Sequence, residues 1–266
     1  MFAKRLVSGI VLVLLALVFV MQGGGILLLV SGIISLIGLF ELYRVMKIEK
    51  ELVGMVGYFA VLLYYGMLGF HGEAYEMLLE VGVLMLLLAI YVLTFPKYKT
   101  EQITVAFFGF FYVAVLFSYL YQVRGMEDGA YLVWLVFLSS WGCDTCAYCT
   151  GMLLGKHKLA PVLSPKKSIE GAVGGTLGAI LLGLLYAAVF GSQMTEFTNP
   201  LFACGTACGI AAVISQIGDL AASAIKRNHN IKDYGKLIPG HGGILDRFDS
   251  MLFTAPAIYF ALLFLH

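Results

Sequence analysis

Asp144 and Asp219 each close a long uncharged stretch, and Asp246 and Asp249 follow three residues apart near the end of the chain. A carboxylate beside an apolar sequence is costly to keep charged, and one alone would cap a helix or pair with a lysine. These four stand beside a dense basic set: Lys156, Lys158, Lys166 and Lys167 after the first, and Lys226, Arg227, Lys232, Lys236 and Arg247 around the others. Carboxylate oxygens suit Mg²⁺ and basic side chains suit phosphates. If a helix starts at Asp246, the spacing puts Asp246 and Asp249 on one face, where both could reach one cation. Gly240, Gly242 and Gly243 flank His241 just upstream, and glycines at a helix start let backbone N–H groups approach an anion. This pattern describes a site for a metal-bound polyphosphate. His241 is the histidine expected to touch substrate; His157 and His229 read as surface residues of basic loops, and His71 and His266 as solvated or interfacial.

The elements that position these residues must lie in lipid. Of 266 residues, 61% are hydrophobic and 12% charged, against roughly 25% charged in a soluble domain. Uncharged runs at Leu6–Met21, Gly25–Phe40, Leu52–Phe70, Val81–Pro96, Gln102–Val123, Gly129–Cys143, Gly171–Thr195, Phe197–Gly218 and Ser250–Leu265 approach the ~20 residues of a membrane helix. The expected fold is all-α, a polytopic membrane protein with about nine transmembrane helices. The first run follows Lys4 and Arg5 but no small-x-small cleavage site, so it is expected to be a retained span. With the N-terminus inside, every Lys and Arg except Arg124, of 17 in all, falls on the cytoplasmic side, which predicts N-in and C-out. The polar residues then collect in two cytoplasmic loops, near 144–170 and 219–249.

Residues 1–266 read as a single membrane domain, with N-terminal helices over 1–123 and C-terminal helices carrying the active-site loops over 124–266. Five cysteines are an odd number, and the spacing of Cys143, Cys146 and Cys149, and of Cys204 and Cys208, places each set on one helix face, where helix packing explains them better than a metal site. Tyr58, Tyr64, Tyr65, Tyr119 and Tyr121 near span ends are expected mainly as interface anchors. A net charge of +1 gives no reason to expect a nucleic-acid partner.

The string Ser223-x-Ile225-Lys226-Arg227-x4-Lys232-Asp233-x-Gly235-x2-Ile238-Pro239-x-His241-Gly242-Gly243-Ile244-x-Asp246-Arg247-Phe248-Asp249 resembles the family motif of phosphatidate cytidylyltransferases, the CDP-diacylglycerol synthases. Asp144-Thr145-x-Ala147-Tyr148-x2-Gly151 and Gly155-Lys156-His157-Lys158-Leu159-x-Pro161-x2-Ser164-Pro165-Lys166-Lys167 resemble it too. The resemblance covers the C-terminal half well and the N-terminal half only as hydrophobic spans. One departure is Met152, where many relatives carry Arg after the glycine.

The resemblance implies a multi-pass enzyme of a bacterial-type inner membrane, with its active site facing the cytosol. It would join CTP to phosphatidic acid with Mg²⁺, give CDP-diacylglycerol and pyrophosphate, and act as a homodimer. On that reading Asp219 and Asp246, supported by Asp249 and Asp144, hold one or two cations. Lys226, Arg227, Lys232 and Arg247 cradle phosphates with help from the His241-Gly242-Gly243 backbone. Ser164, Lys166 and Lys167 serve the CTP tail or the lipid headgroup. The competing readings are a CTP-dependent lipid-alcohol kinase, which would need a general base for which no carboxylate–His pair stands out in the sequence, and a secondary transporter, which would place its charges midway through the spans.

Overall fold

The computed structural model describes residues 2–70, 72–238, 240 and 242–265, without the side chains of residues 2–8 and Glu73. The described chain is helical apart from one small hairpin: α1 (Phe2–Gln22), α2 (Gly24–Val45), α3 (Leu52–Gly69), α4 (Glu76–Leu93), α5 (Thr100–Gly125), α6 (Gly129–Leu154), β1 (Lys158–Ala160), β2 (Ser164–Ser168), α7 (Ile169–Phe190), α8 (Pro200–Asn228) and α9 (Leu245–Leu265). Among the described residues, α2 to α9 are eight helices long and apolar enough to cross a membrane, and Gly9–Gln22 of α1 adds a shorter apolar stretch. The chain is therefore an all-α polytopic membrane protein. It divides into two compact units, Met1–Ser118 with Asp233–Arg247, and Tyr119–Lys232 with Phe248–His266. The first unit thus recovers the loop after α8, which a division at residue 123 assigns to the C-terminal half.

In the first unit, one residue links α1 to α2: Gly23 at φ 62°, ψ −154°, a region that only glycine occupies without strain. The core beyond it is held by tyrosine hydroxyls, because lipid offers a buried polar group no partner. Tyr43 Oη donates to the Ala106 carbonyl. Tyr65 Oη is 2.8 Å from Ser35 Oγ and 3.3 Å from the Ala114 carbonyl, and Tyr64 Oη is 3.2 Å from Ser118 Oγ. Tyr64 and Tyr65 are buried, so these two tie α2, α3 and α5 together instead of anchoring an interface.

In the second unit, α7 packs against α6 and α8 through Gly171, Gly175, Ala179, Gly183 and Ala187, all buried and four residues apart. Small residues at this spacing let backbones approach in lipid; a Cβ on Gly175 would stand 2.8 Å from Ala147 Cβ and 3.0 Å from the Cys143 carbonyl oxygen. The opposite face carries Val173, Leu177, Leu181, Leu185 and Val189, 54–70% exposed. A helix that buries its glycines and exposes its leucines suits a lipid surround. All five cysteines are free, and Cys143 and Cys208 lie against Gly175 and Gly183 of the stripe, as the packing reading expects.

Candidate active site

The two polar loops expected from the sequence are largely ordered into regular elements. Asp144 lies two residues beyond a π-helical turn, Leu138–Gly142, inside α6, which continues to Leu154. The segment after it is an antiparallel hairpin pairing Lys158 with Ser168 and Ala160 with Ser164. Its base is fastened by Glu170, which accepts from the Lys156 and His157 amides (3.1 and 3.2 Å) and lies 2.6 Å from His157 Nδ1; this is a carboxylate–histidine pair, 13 residues apart in sequence, that the sequence did not single out. Helix α8 likewise runs ten residues past Gly218, so Asp219, Lys226 and Arg227 are helical. Charge marks where the apolar run ends; the backbone goes on hydrogen-bonding beyond it.

Within the second unit, Asp144, Tyr148, Met152, Lys166, Lys167 and Gln216 line a cavity of about 470 Å³. Lys167 forms an ion pair with Asp219, so three of the expected residues meet at or beside this cavity, and Asp144, itself exposed, faces it too. Gln216 donates to the Ala172 carbonyl (3.2 Å) and Thr176 Oγ1 (3.0 Å) and forms part of the floor. A neighbouring apolar groove of about 400 Å³, lined by Val173, Leu177, Val213, Ile217 and Leu220, shares Leu159, Ala172 and Gln216 with it. Ser164 is half-buried in the hairpin and does not line the cavity. Lys226 is buried and lies 3.6 Å from Asp249, whereas Arg227 and Lys232 are exposed, Arg227 donating to the Ile231 carbonyl at 3.2 Å.

Within the first unit, the glycine-rich loop is organised by carboxylates. Asp246 Oδ2 accepts from the Tyr234 amide at 2.7 Å and the Gly243 amide at 2.9 Å. The Gly243 N–H, expected to help cradle a phosphate, therefore serves the loop itself. Gly242, at φ 91°, needs glycine on two counts, since a Cβ would also stand 2.8 Å from Asp246 Oδ2. Ile238 donates to the Gly242 carbonyl at 2.8 Å; His241, between them, lies outside the described residues. Arg247 keeps a buried Nε with no hydrogen-bond acceptor among the described residues, an atom suited to an incoming anion. Two residues that the sequence reading passed over also act here. Glu41 accepts from the Ile244 and Leu245 amides, and Arg44 donates to the Tyr234 carbonyl. The available signal was an acid ending the uncharged run Gly25–Phe40, with a base one turn on.

Among the described residues no three His, Cys, Asp or Glu side chains form a group that could hold a metal ion. Mg²⁺ does not need such a cage, because it keeps several waters and binds through one or two carboxylates plus substrate phosphates. The carboxylates beside Lys167 fit that use.

Apolar helices around a cavity with acidic and basic walls define a membrane enzyme for anionic substrates, and the Cytidylyltransferase family model matches residues 3–265. The chain belongs to that family. It is 32% identical to proteins named phosphatidate cytidylyltransferase from Staphylococcus saprophyticus, over 259 residues, Staphylococcus aureus strain COL, over 261, and Staphylococcus epidermidis, over 259. Each match covers 96% of both chains.

Proposed function

We propose that this chain transfers the cytidylyl group of CTP to phosphatidic acid, giving CDP-diacylglycerol and pyrophosphate. The observation that carries the reading is the pair of hollows in the second unit: a cavity walled by Asp144, Lys166 and Lys167 shares residues with an apolar groove. An anionic headgroup with an acyl chain matches both.

The nucleophile brings its own reactivity. A phosphomonoester has a second pKa of about 6 and is mostly dianionic at neutral pH, so no general base is required. One phosphatidate oxygen attacks the α-phosphorus of CTP, the bond from that phosphorus to the β-bridging oxygen breaks, and pyrophosphate leaves. Repelling anions must be neutralised and held in line, which is work for Lys166, Lys167, Arg227, Lys232 and Arg247. Mg²⁺, arriving with CTP, would offset charge on the nucleotide phosphates, and the carboxylates that would receive it are drawn from Asp144, Asp219, Asp246 and Asp249. The bias of basic residues supports an N-in, C-out chain in a bacterial-type inner membrane with the site facing the cytosol, and the motif resemblance supports a homodimer.

The test is to incubate purified protein in lipid–detergent micelles with labelled CTP, phosphatidic acid and Mg²⁺, and to analyse lipid and soluble products. CDP-lipid plus pyrophosphate is expected. CDP release with a lipid alcohol would establish the kinase instead, and no CTP consumption with any lipid would return the transporter.

A further inference from the structure

The chemistry above leaves one buried carboxylate unused. Glu41, on α2, is 3% exposed, and its two oxygens accept from the amides of Ile244 (3.2 Å) and Leu245 (2.9 Å). These N–H groups open α9 and have no partner within that helix; a negative charge there also meets the positive end of the helix dipole. One turn along α2, Arg44 donates to the Tyr234 carbonyl at 2.7 Å. The same Tyr234 gives its N–H to Asp246. The beginning and end of the glycine-rich loop are thus both gripped from α2, and the grip is matched by the loop's composition: a Cβ on Gly235 would stand 2.8 Å from Glu41 Cδ and 3.0 Å from Gly243 Cα. A side chain at that position would displace the carboxylate.

We propose that Glu41, seconded by Arg44, is a positioning residue for the reaction: it touches no substrate, but fixes the start of α9 and the closed base of the loop, and so sets where Asp246 and Arg247 stand. Its kinetic consequence rests on the cytidylyltransferase reading; its structural consequence does not. A glutamine at 41 preserves shape and one good acceptor, but it loses the charge and cannot cap both amides with carboxylate oxygens. Charge-assisted hydrogen bonds are roughly twice as strong as neutral ones, so a partial loosening is expected instead of collapse.

The experiment compares wild type, Glu41→Gln and Arg44→Met in micelles by hydrogen–deuterium exchange, thermal melting, and kinetics with CTP varied. In Glu41→Gln, exchange over residues 233–245 should rise about tenfold while α7 and α8 exchange as before, and kcat should fall about ten- to hundredfold with KM for CTP changing less than about threefold, the signature of an interaction realised in the transition state. Arg44→Met should loosen the Tyr234 end and lower kcat in the same sense, and it stands as the test if Glu41→Gln does not fold. Unchanged exchange and kcat overturn the proposal, and so does a lower melting temperature with unchanged kcat in the folded fraction, which would leave Glu41 a packing residue only. If the wild type makes no CDP-lipid, the functional reading fails, and the exchange comparison alone decides whether Glu41 holds the loop.

Discussion

Replacing Asp249 by Asn should destabilise this protein far more than an ordinary charge neutralisation. Asp249 and Lys226 are each 9% exposed and lie 3.6 Å apart. At an effective dielectric constant of ~20, unit charges at about that distance attract by roughly 4–5 kcal/mol. Much of this attraction offsets the loss of hydration, so the pair adds little net stability, yet removing one carboxylate takes a close counter-charge from a buried ammonium, at a cost of up to about 3–5 kcal/mol. At ~2–4 °C per kcal/mol for a chain of this size, melting should fall by roughly 6–20 °C. The double replacement Lys226→Met with Asp249→Leu removes both charges and should melt near or above wild type, because apolar substitutes for a buried pair are often neutral or stabilising. Buried Cys143, Cys204 and Cys208 provide the assay, since a thiol-reactive dye in detergent reports their exposure on heating above the early signal from exposed Cys149. Neither protein should make CDP-lipid. If Asp249→Asn melts within about 2 °C of wild type, or the double variant is no more stable than the single one, the buried-pair reasoning is wrong.

Other substitutions separate charge from architecture. Asp246→Asn keeps a carbonyl oxygen for the Tyr234 and Gly243 amides, so melting should hold within about 2 °C while turnover falls ~10²-fold or more, as when a charge aligned for the transition state is lost. Asp246→Ala also orphans two amides at about 1–3 kcal/mol each and should melt lower still. Gly175→Ala should cost about 1–3 kcal/mol in thermal melts by overpacking α7 on α6, whereas Gly66→Ala, where a Cβ meets nothing within 4 Å, should be neutral or slightly stabilising. Met152→Arg adds a cation beside Lys166 and Lys167 at the cavity wall; KM for CTP should drop about two- to fivefold in low salt, and the gain should vanish near ~0.5 M salt.

Helix class was legible because lipid imposes a single rule, that an apolar run of sufficient length is a helix; of the nine spans expected, eight are helices of spanning length among the described residues and the first is a shorter apolar stretch. The ends were less legible, since Asp219, Lys226 and Arg227 continue α8 past its apolar part and nothing in a charge count separates helix from loop there. Tyr64 and Tyr65 misled for a related reason: a tyrosine near a span end suits an interface equally well, and only Ser118, Ser35 and Ala114, distant in sequence, show that theirs is a core. Among site residues, Asp144, Lys166 and Lys167 converge as expected, and Asp219 and Asp249 also satisfy the plainer reading, each pairing with a lysine. Glu41 was not legible as part of the loop. Its partners are backbone amides, which carry no sequence signature, and the shortest of these bonds spans 204 positions.

That separation has a consequence for biosynthesis. At about 5–20 residues per second, the ribosome delivers Leu245 roughly 10–40 s after Glu41. During that interval α2 is already made, and the amides that its carboxylate will cap do not yet exist. The first unit therefore cannot close while the chain is being made in order; it closes only when the last helix begins, and a polypeptide stopped short of residue 245 leaves an acidic group at the edge of α2 with nothing to hold.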